Sequence, residues 1–142
     1  MDWNSFDRGV FVVNVLGIVY DKKSKKILIG LRQDDPYIPS LSWSLPGGRP
    51  AYVEDLEHYL KLEIKKKTNL NAKIIKVIHA RTHEANRKIL NIYYYCEASG
   101  KARASEKFTE IKWISPTEIQ KYFSKSAGKT PKEVYDFLKG LK

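Results

Sequence analysis

Glu63, Lys66 and Lys67 stand three and four positions apart. On a helix, side chains at that spacing project from one face, one turn apart. An ammonium is a point-charge binder of phosphate, whereas a hard divalent cation asks for oxygen ligands. A face with one carboxylate and two ammonium groups therefore suits an anion better than a metal ion. The same residues have a plainer reading. Lys65, Lys66 and Lys67 suit the negative end of a helix dipole, and Glu63 can pair with a neighbouring lysine or with the hydroxyl of Tyr59 one turn back. The basic character is regional, with six lysines and one acid, Glu63, between Lys61 and Lys76. Arg32 and Arg49 are two further cations able to approach an anionic ligand, and each can equally be an ordinary exposed arginine.

These residues act together only if a helix presents them. Val53, Leu56, Leu60 and Ile64 recur at helical spacing. Asp55 suits the N-cap, Glu57 the positive end of the dipole, and Asn69 a left-handed terminator. The pattern predicts a helix over 56–68. Ahead of it, Trp43-Ser44-Leu45-Pro46-Gly47-Gly48 leaves a short strand and enters a glycine-rich turn. Further upstream, Val10–Asp21 and Lys26–Arg32 read as two strands of a hairpin around a lysine-rich turn. Gln33–Ser42, with Asp34, Asp35, Pro36 and Pro39, reads as a loop. Downstream, Ala72–Arg81, Lys88–Ala98 and Phe108–Ile114 read as strands. Ser115 with Pro116 and Thr130 with Pro131 open helices reaching about Phe123 and Leu141.

At 142 residues, with 42% hydrophobic and 30% charged, the chain suits one domain, 1–142, with a sizeable core. No apolar run approaches the ~20 residues of a membrane span. Cys96 is the one cysteine, so an intrachain disulfide and a cysteine zinc cluster are excluded. A reducing, cytoplasmic setting is expected. The net charge of +10 favours polyanionic partners such as nucleotides or RNA; solubility is the bland alternative.

The Gly-Gly turn, Glu54 six positions after Gly48, and the following helix together resemble the box of the Nudix hydrolase family. That signature reads G, five residues, E, seven residues, then R-E-U-x-E-E-x-G-U, with U bulky and aliphatic. Gly48, Glu54, Glu63, Ile64 and Leu70 match it. The family's arginine is Leu62 here, its paired acids are Lys66 and Lys67, and its glycine is Asn69. Leu28-Ile29-Gly30-Leu31-Arg32 and Glu110-Ile111-Lys112-Trp113-Ile114-Ser115-Pro116 resemble the family's second strand and its last strand with the next helix. The resemblance covers nearly the whole chain. It implies an α/β/α sandwich around a mixed β-sheet.

The resemblance also implies hydrolysis of a nucleoside diphosphate-type ligand, with Mg²⁺ or Mn²⁺ on the diphosphate and Glu63 and Glu54 at catalytic positions. Glu63 is the retained acid, a general base or a weak metal ligand. Glu54 is the acid that the missing arginine would orient. An ammonium about 5 Å from Mg²⁺ costs roughly 7 kcal/mol at an effective dielectric of about 20, before screening and retreat of the side chain. Ordinary Mg²⁺-dependent hydrolysis is thus expected to be weak or lost. Lys66, Lys67, Arg49 and Arg32 are expected to hold the ligand. The alternative is a non-catalytic module that binds nucleotide or RNA phosphates through lysines.

The remaining signals are weaker. His79, His83 and Glu84 invite a metal reading but better suit a strand and turn surface. In Tyr93-Tyr94-Tyr95, alternation sends Tyr93 and Tyr95 to one face and Tyr94 to the other. Gly128-Lys129-Thr130 lacks the earlier glycine of a P-loop. Glu106 and Glu110 are acids that the sequence does not place in a cleft. Cys96 reads as a buried thiol.

Overall fold

The computed structural model describes residues 9–32, 43–52, 55–123 and 130–142. Expectations for Gln33–Ser42, Val53, Glu54 and the Gly128-Lys129 pair lie outside these residues. Strand β1 (Val12–Asp21) sits at the centre of the sheet. It starts two residues later than the sequence pattern suggests, because Val10 and Phe11 are exposed and make no ladder. The other strands are β2 (Lys26–Arg32), β3 (Trp43–Ser44), β4 (Gly47–Gly48), β5 (Lys73–Thr82), β6 (Ile89–Glu97) and β7 (Phe108–Ile114). The helices are α1 (Leu56–Thr68), α2 (Ile119–Phe123, entered through a 3-10 turn at Pro116–Glu118) and α3 (Lys132–Lys139).

β1 pairs with β6 in parallel from Val12 opposite Ile89 to Tyr20 opposite Glu97. β6 pairs antiparallel with β5. The other edge of β1 is divided. The expected hairpin is present but short: β2 meets β1 only at Tyr20–Ile27 and Asp21–Lys26. β2 then leaves to pair with β3 and β7. The part of the edge that β2 gives up is taken by β4, with Val15 opposite Gly48 and Leu16 opposite Gly47. This division inserts the Gly-Gly turn into the sheet beside its central strand.

Strand periodicity sorts the core into two layers. Val15 and Val19 of β1, Leu28 of β2, and Tyr94 and Cys96 of β6 pack with Leu60 and Ile64 of α1. Ile18 and Tyr20, Ile27 and Ile29, and Tyr93 and Tyr95 face the opposite way, toward Ile119 and Phe123 of α2 and Val134 and Leu138 of α3. All three adjacent tyrosines are buried, and none is a free stacking platform. Trp43 and Trp113 lie on strands. The result is an α/β/α sandwich on a mixed sheet. Among the described residues no helix is long and apolar enough to cross a membrane.

α1 begins and ends where its capping residues place it. Asp55 accepts from the backbone N–H groups of Glu57 and His58 at 3.0 and 3.2 Å. Asn69 adopts φ 65° and its N–H returns to the Lys65 carbonyl. Leu60 and Ile64 are fully buried. Leu56, which shares their helical spacing, is the first residue of the helix and is only half-buried.

Candidate functional site

The site begins with two glycines. A Cβ on Gly47 would stand 1.9 Å from the main-chain oxygen of Val15, so only glycine lets β4 lie this close to β1. A Cβ on Gly48 would stand 2.6 Å from the Tyr59 hydroxyl and 3.3 Å from Cγ of Glu63. The turn is therefore pressed against the face of α1 that carries Tyr59, Glu63, Lys66 and Lys67. Together they line a cleft of about 310 Å³, which Arg32 and Arg49 also line.

Lys67 is the centre of this cleft. It is 7% exposed, an unusual position for a lysine. Its Nζ donates to the main-chain carbonyl of Gly47 and lies 3.8 Å from the Glu63 carboxylate. Burial lowers its pKa to about 8; Glu63 opposes that shift, while Arg32, Lys107 and Arg49 reinforce it. Tyr59 donates its hydroxyl to Glu63. Burial first, and then the Glu63 charge and this hydrogen bond, push the phenol up to about 12. Glu63 is thus held by two partners. Lys66, one position before Lys67, is exposed and reaches the cleft from its rim.

Arg32 arrives through an irregularity. The β2–β7 register shifts between Leu31 and Arg32, so that Arg32 pairs with Phe108. The extra residue is Thr109 of β7, and the shift sets Arg32 opposite Phe108 at the end of this ladder. Arg49 follows the Gly-Gly turn directly and is half-buried, not the ordinary exposed arginine of its plainer reading. Glu106, which the sequence does not place, and Lys107, which the sequence does not single out, also line the cleft. The C-terminal carbonyls of α1 put them there. Arg103 N–H bonds the Thr68 carbonyl, Ser105 N–H bonds that of Lys67, and the chain turns back with Glu106 at φ 56°. A signal for this was available: a polar turn beside a strand end, with alternating charges at 106 and 107. Glu110 is exposed on β7.

A second, inner pocket adjoins the cleft and shares Arg32, Arg49 and Lys67 with it. Asn14, Asn91 and His83 bring polar groups to its wall. Asn14 Nδ2 donates to Asn91 Oδ1 at 2.9 Å across the parallel β1–β6 pair. His83 corrects the expectation of a surface turn. It is buried, and its Nδ1 accepts from the Ala85 N–H at 2.9 Å. His79 lies apart from it, 3.5 Å from Glu133 of α3. Cys96 is a buried free thiol whose pKa desolvation pushes up to about 12.

A family model, the NUDIX domain, matches residues 10–136. The chain belongs to the Nudix family. Solved structures with the same fold include a MutT protein from Methanosarcina mazei Go1, at TM-score 0.71 and 18% identity, covering 94% of each chain. An ADP-ribose pyrophosphatase from Streptococcus suis superposes at TM-score 0.64 and 18% identity, over 89% of this chain and 87% of that one. A UDP-X diphosphatase gives TM-score 0.67 at 15% identity, over 94% of this chain and 63% of that one. No curated protein matches the chain in sequence.

Nudix proteins generally use divalent metals, so the donor set of this Nudix domain can be tested against that chemistry. Among the described residues lining the cleft, the acids are Glu63 and Glu106, against Arg32, Arg49, Lys66, Lys67 and Lys107. No group of three or more histidine, cysteine or acidic side chains converges among the described residues. The carbonyl of Gly47 and the carboxylate of Glu63 do converge, but on an ammonium. This arrangement does not fit a hard divalent ion, which needs several anionic or neutral oxygens and is repelled by an adjacent cation.

Proposed function

We propose that this Nudix domain binds a nucleoside diphosphate-type ligand in the cleft, and that ordinary Mg²⁺-dependent hydrolysis is weak or lost. Lys66, Lys67, Arg32 and Arg49 face the diphosphate in this reading. The observation that carries it is the seat of Lys67 between Gly47 and Glu63. It fills with positive charge the place a metal ion would need, and it engages the acid that would otherwise serve as general base. The surrounding excess of cations suits a polyanion. A cytoplasmic setting accords with the buried free thiol.

Family membership supports a second reading, a hydrolase using Glu63 with Glu54. The similar proteins named as an ADP-ribose pyrophosphatase and a UDP-X diphosphatase suggest its substrate class. A third reading, in which RNA phosphates are bound without catalysis, draws on Lys61, Lys65 and Lys66, all exposed on α1. A panel of nucleoside diphosphate-linked compounds, assayed for binding and turnover with and without Mg²⁺ or Mn²⁺, separates them. Binding with little or no metal-stimulated turnover is expected. Fast turnover that requires metal and Glu63 would establish the hydrolase. Binding of RNA but of no nucleotide would establish the third reading.

A further inference from the structure

We propose that the Lys67 ammonium is a built-in cation, contacting the bound diphosphate directly and making its binding independent of divalent metal. This rests on the reading of the cleft as a diphosphate site and goes further, naming the group that replaces the ion. Two hard oxygens, the Gly47 carbonyl from twenty positions earlier and the Glu63 carboxylate from one helical turn back, converge on Lys67 Nζ. An ammonium has three N–H donors. Gly47 takes one and Glu63 faces another, which leaves one for a ligand oxygen.

The location suits that role. Lys67 lines both the cleft and the inner pocket, so a ligand spanning the two passes its Nζ. The ammonium is largely removed from water, and its attraction for an anion is correspondingly less screened. Arg32, Arg49 and Lys107 all act on it with like charge. Two negative charges from a ligand would relieve that crowding. A covalently tethered cation also has no entropy of capture, and chelators cannot remove it.

The test is calorimetric titration of the whole chain with ADP, in chelator and in millimolar Mg²⁺. The parent should bind equally well in both, within about twofold. Lys67→Met should lose at least tenfold, and Lys23→Met, in the exposed turn between β1 and β2 and off the cleft, should bind like the parent. Should Lys67→Met fail to fold, lysine ¹³Cε labelling of the parent serves instead. In chelator, ADP should shift the buried lysine resonance in proportion to occupancy. Binding by the parent that appears only with Mg²⁺ would overturn the built-in cation and leave the diphosphate site standing. So would binding in chelator that Lys67→Met does not weaken, or a buried lysine signal that ADP leaves unmoved. No binding of ADP or of any panel compound under either condition would remove the diphosphate reading itself, and this inference with it.

Discussion

Lys67 donates its ammonium to the carbonyl of Gly47, a residue twenty positions earlier. That contact ties the last turn of α1 to the Gly-Gly turn, and the tie is electrostatically costly. A buried cation loses hydration that one carbonyl and one carboxylate only partly replace.

The cost makes stability depend on pH. The pKa of Lys67 is about 8 in the folded chain and 10.5 when unfolded. Below pH 8 both states hold the proton. Between 8 and 10.5 the unfolded chain alone holds it, so unfolding must take up a proton and stability rises with pH. Lys67→Met lacks this dependence. The stability of the parent minus that of Lys67→Met should therefore grow across this window by up to about 3 kcal/mol. Urea unfolding of both proteins from pH 7 to 10.5 measures it. A flat difference would show that Lys67 keeps an ordinary pKa, and a falling one that folding raises it.

Restoring acids should restore metal affinity. The double variant Lys66→Glu, Lys67→Glu puts three carboxylates on one turn of α1 beside the Gly47 carbonyl and removes two repulsive charges. Without metal it should be less stable than the parent. Its Tm should rise with added Mg²⁺, through binding to the folded state alone, while that of the parent should not move. Thermal scans over a Mg²⁺ series decide. Equal responses of the two proteins would mean that carboxylates at these positions do not gather a metal ion.

The two glycines should fail differently. Gly47→Ala drives a methyl group into the backbone of Val15, where nothing can retreat. It should break the β4–β1 pairing and cost more than about 4 kcal/mol. Gly48→Ala meets the far end of Tyr59, which can swing aside, and should cost about 1–3 kcal/mol. Denaturant midpoints that place Gly48→Ala at or below Gly47→Ala would contradict the packing.

Two leucines on α1 should separate core from surface. Leu60 is fully buried, and Leu60→Ala should cost about 2–5 kcal/mol. Leu62, at the family's arginine position, is 48% exposed, and Leu62→Ala should change stability by no more than about 0.5 kcal/mol. Chemical denaturation of each variant provides the comparison.

Anion binding should weaken as salt rises, because the cleft is lined by exposed as well as buried cations. ADP titrations between 20 and 300 mM salt, values on the order of the screening range, should show a steady loss of affinity. Salt-independent affinity would point to a ligand held by apolar contacts.

The local parts of this protein are written in its local sequence. Asp55 and Asn69 place the ends of α1 because caps act within three or four residues. Alternation along β1 and β6 sorts side chains between two faces because a strand has period two. The family box is legible for the same reason, since glycines, acids and lysines are counted along one short segment. Lys66 and Lys67, by contrast, are neighbours of the same type, and nothing local separates them. One is exposed and the other buried because β4, held to β1 by a ladder from elsewhere in the chain, covers one side of α1 and not the other. Arg32 lines the cleft from the end of β2, where the register against β7 shifts, and Glu106 and Lys107 enter it through the bonds of Arg103 and Ser105 to the carbonyls of Thr68 and Lys67. His83 is buried and lines the inner pocket, although its segment reads as a surface turn. Side-chain direction is set by backbone phase, which sequence periodicity carries; burial and charge neighbours are set by which distant segment lies opposite, and only the folded chain decides that.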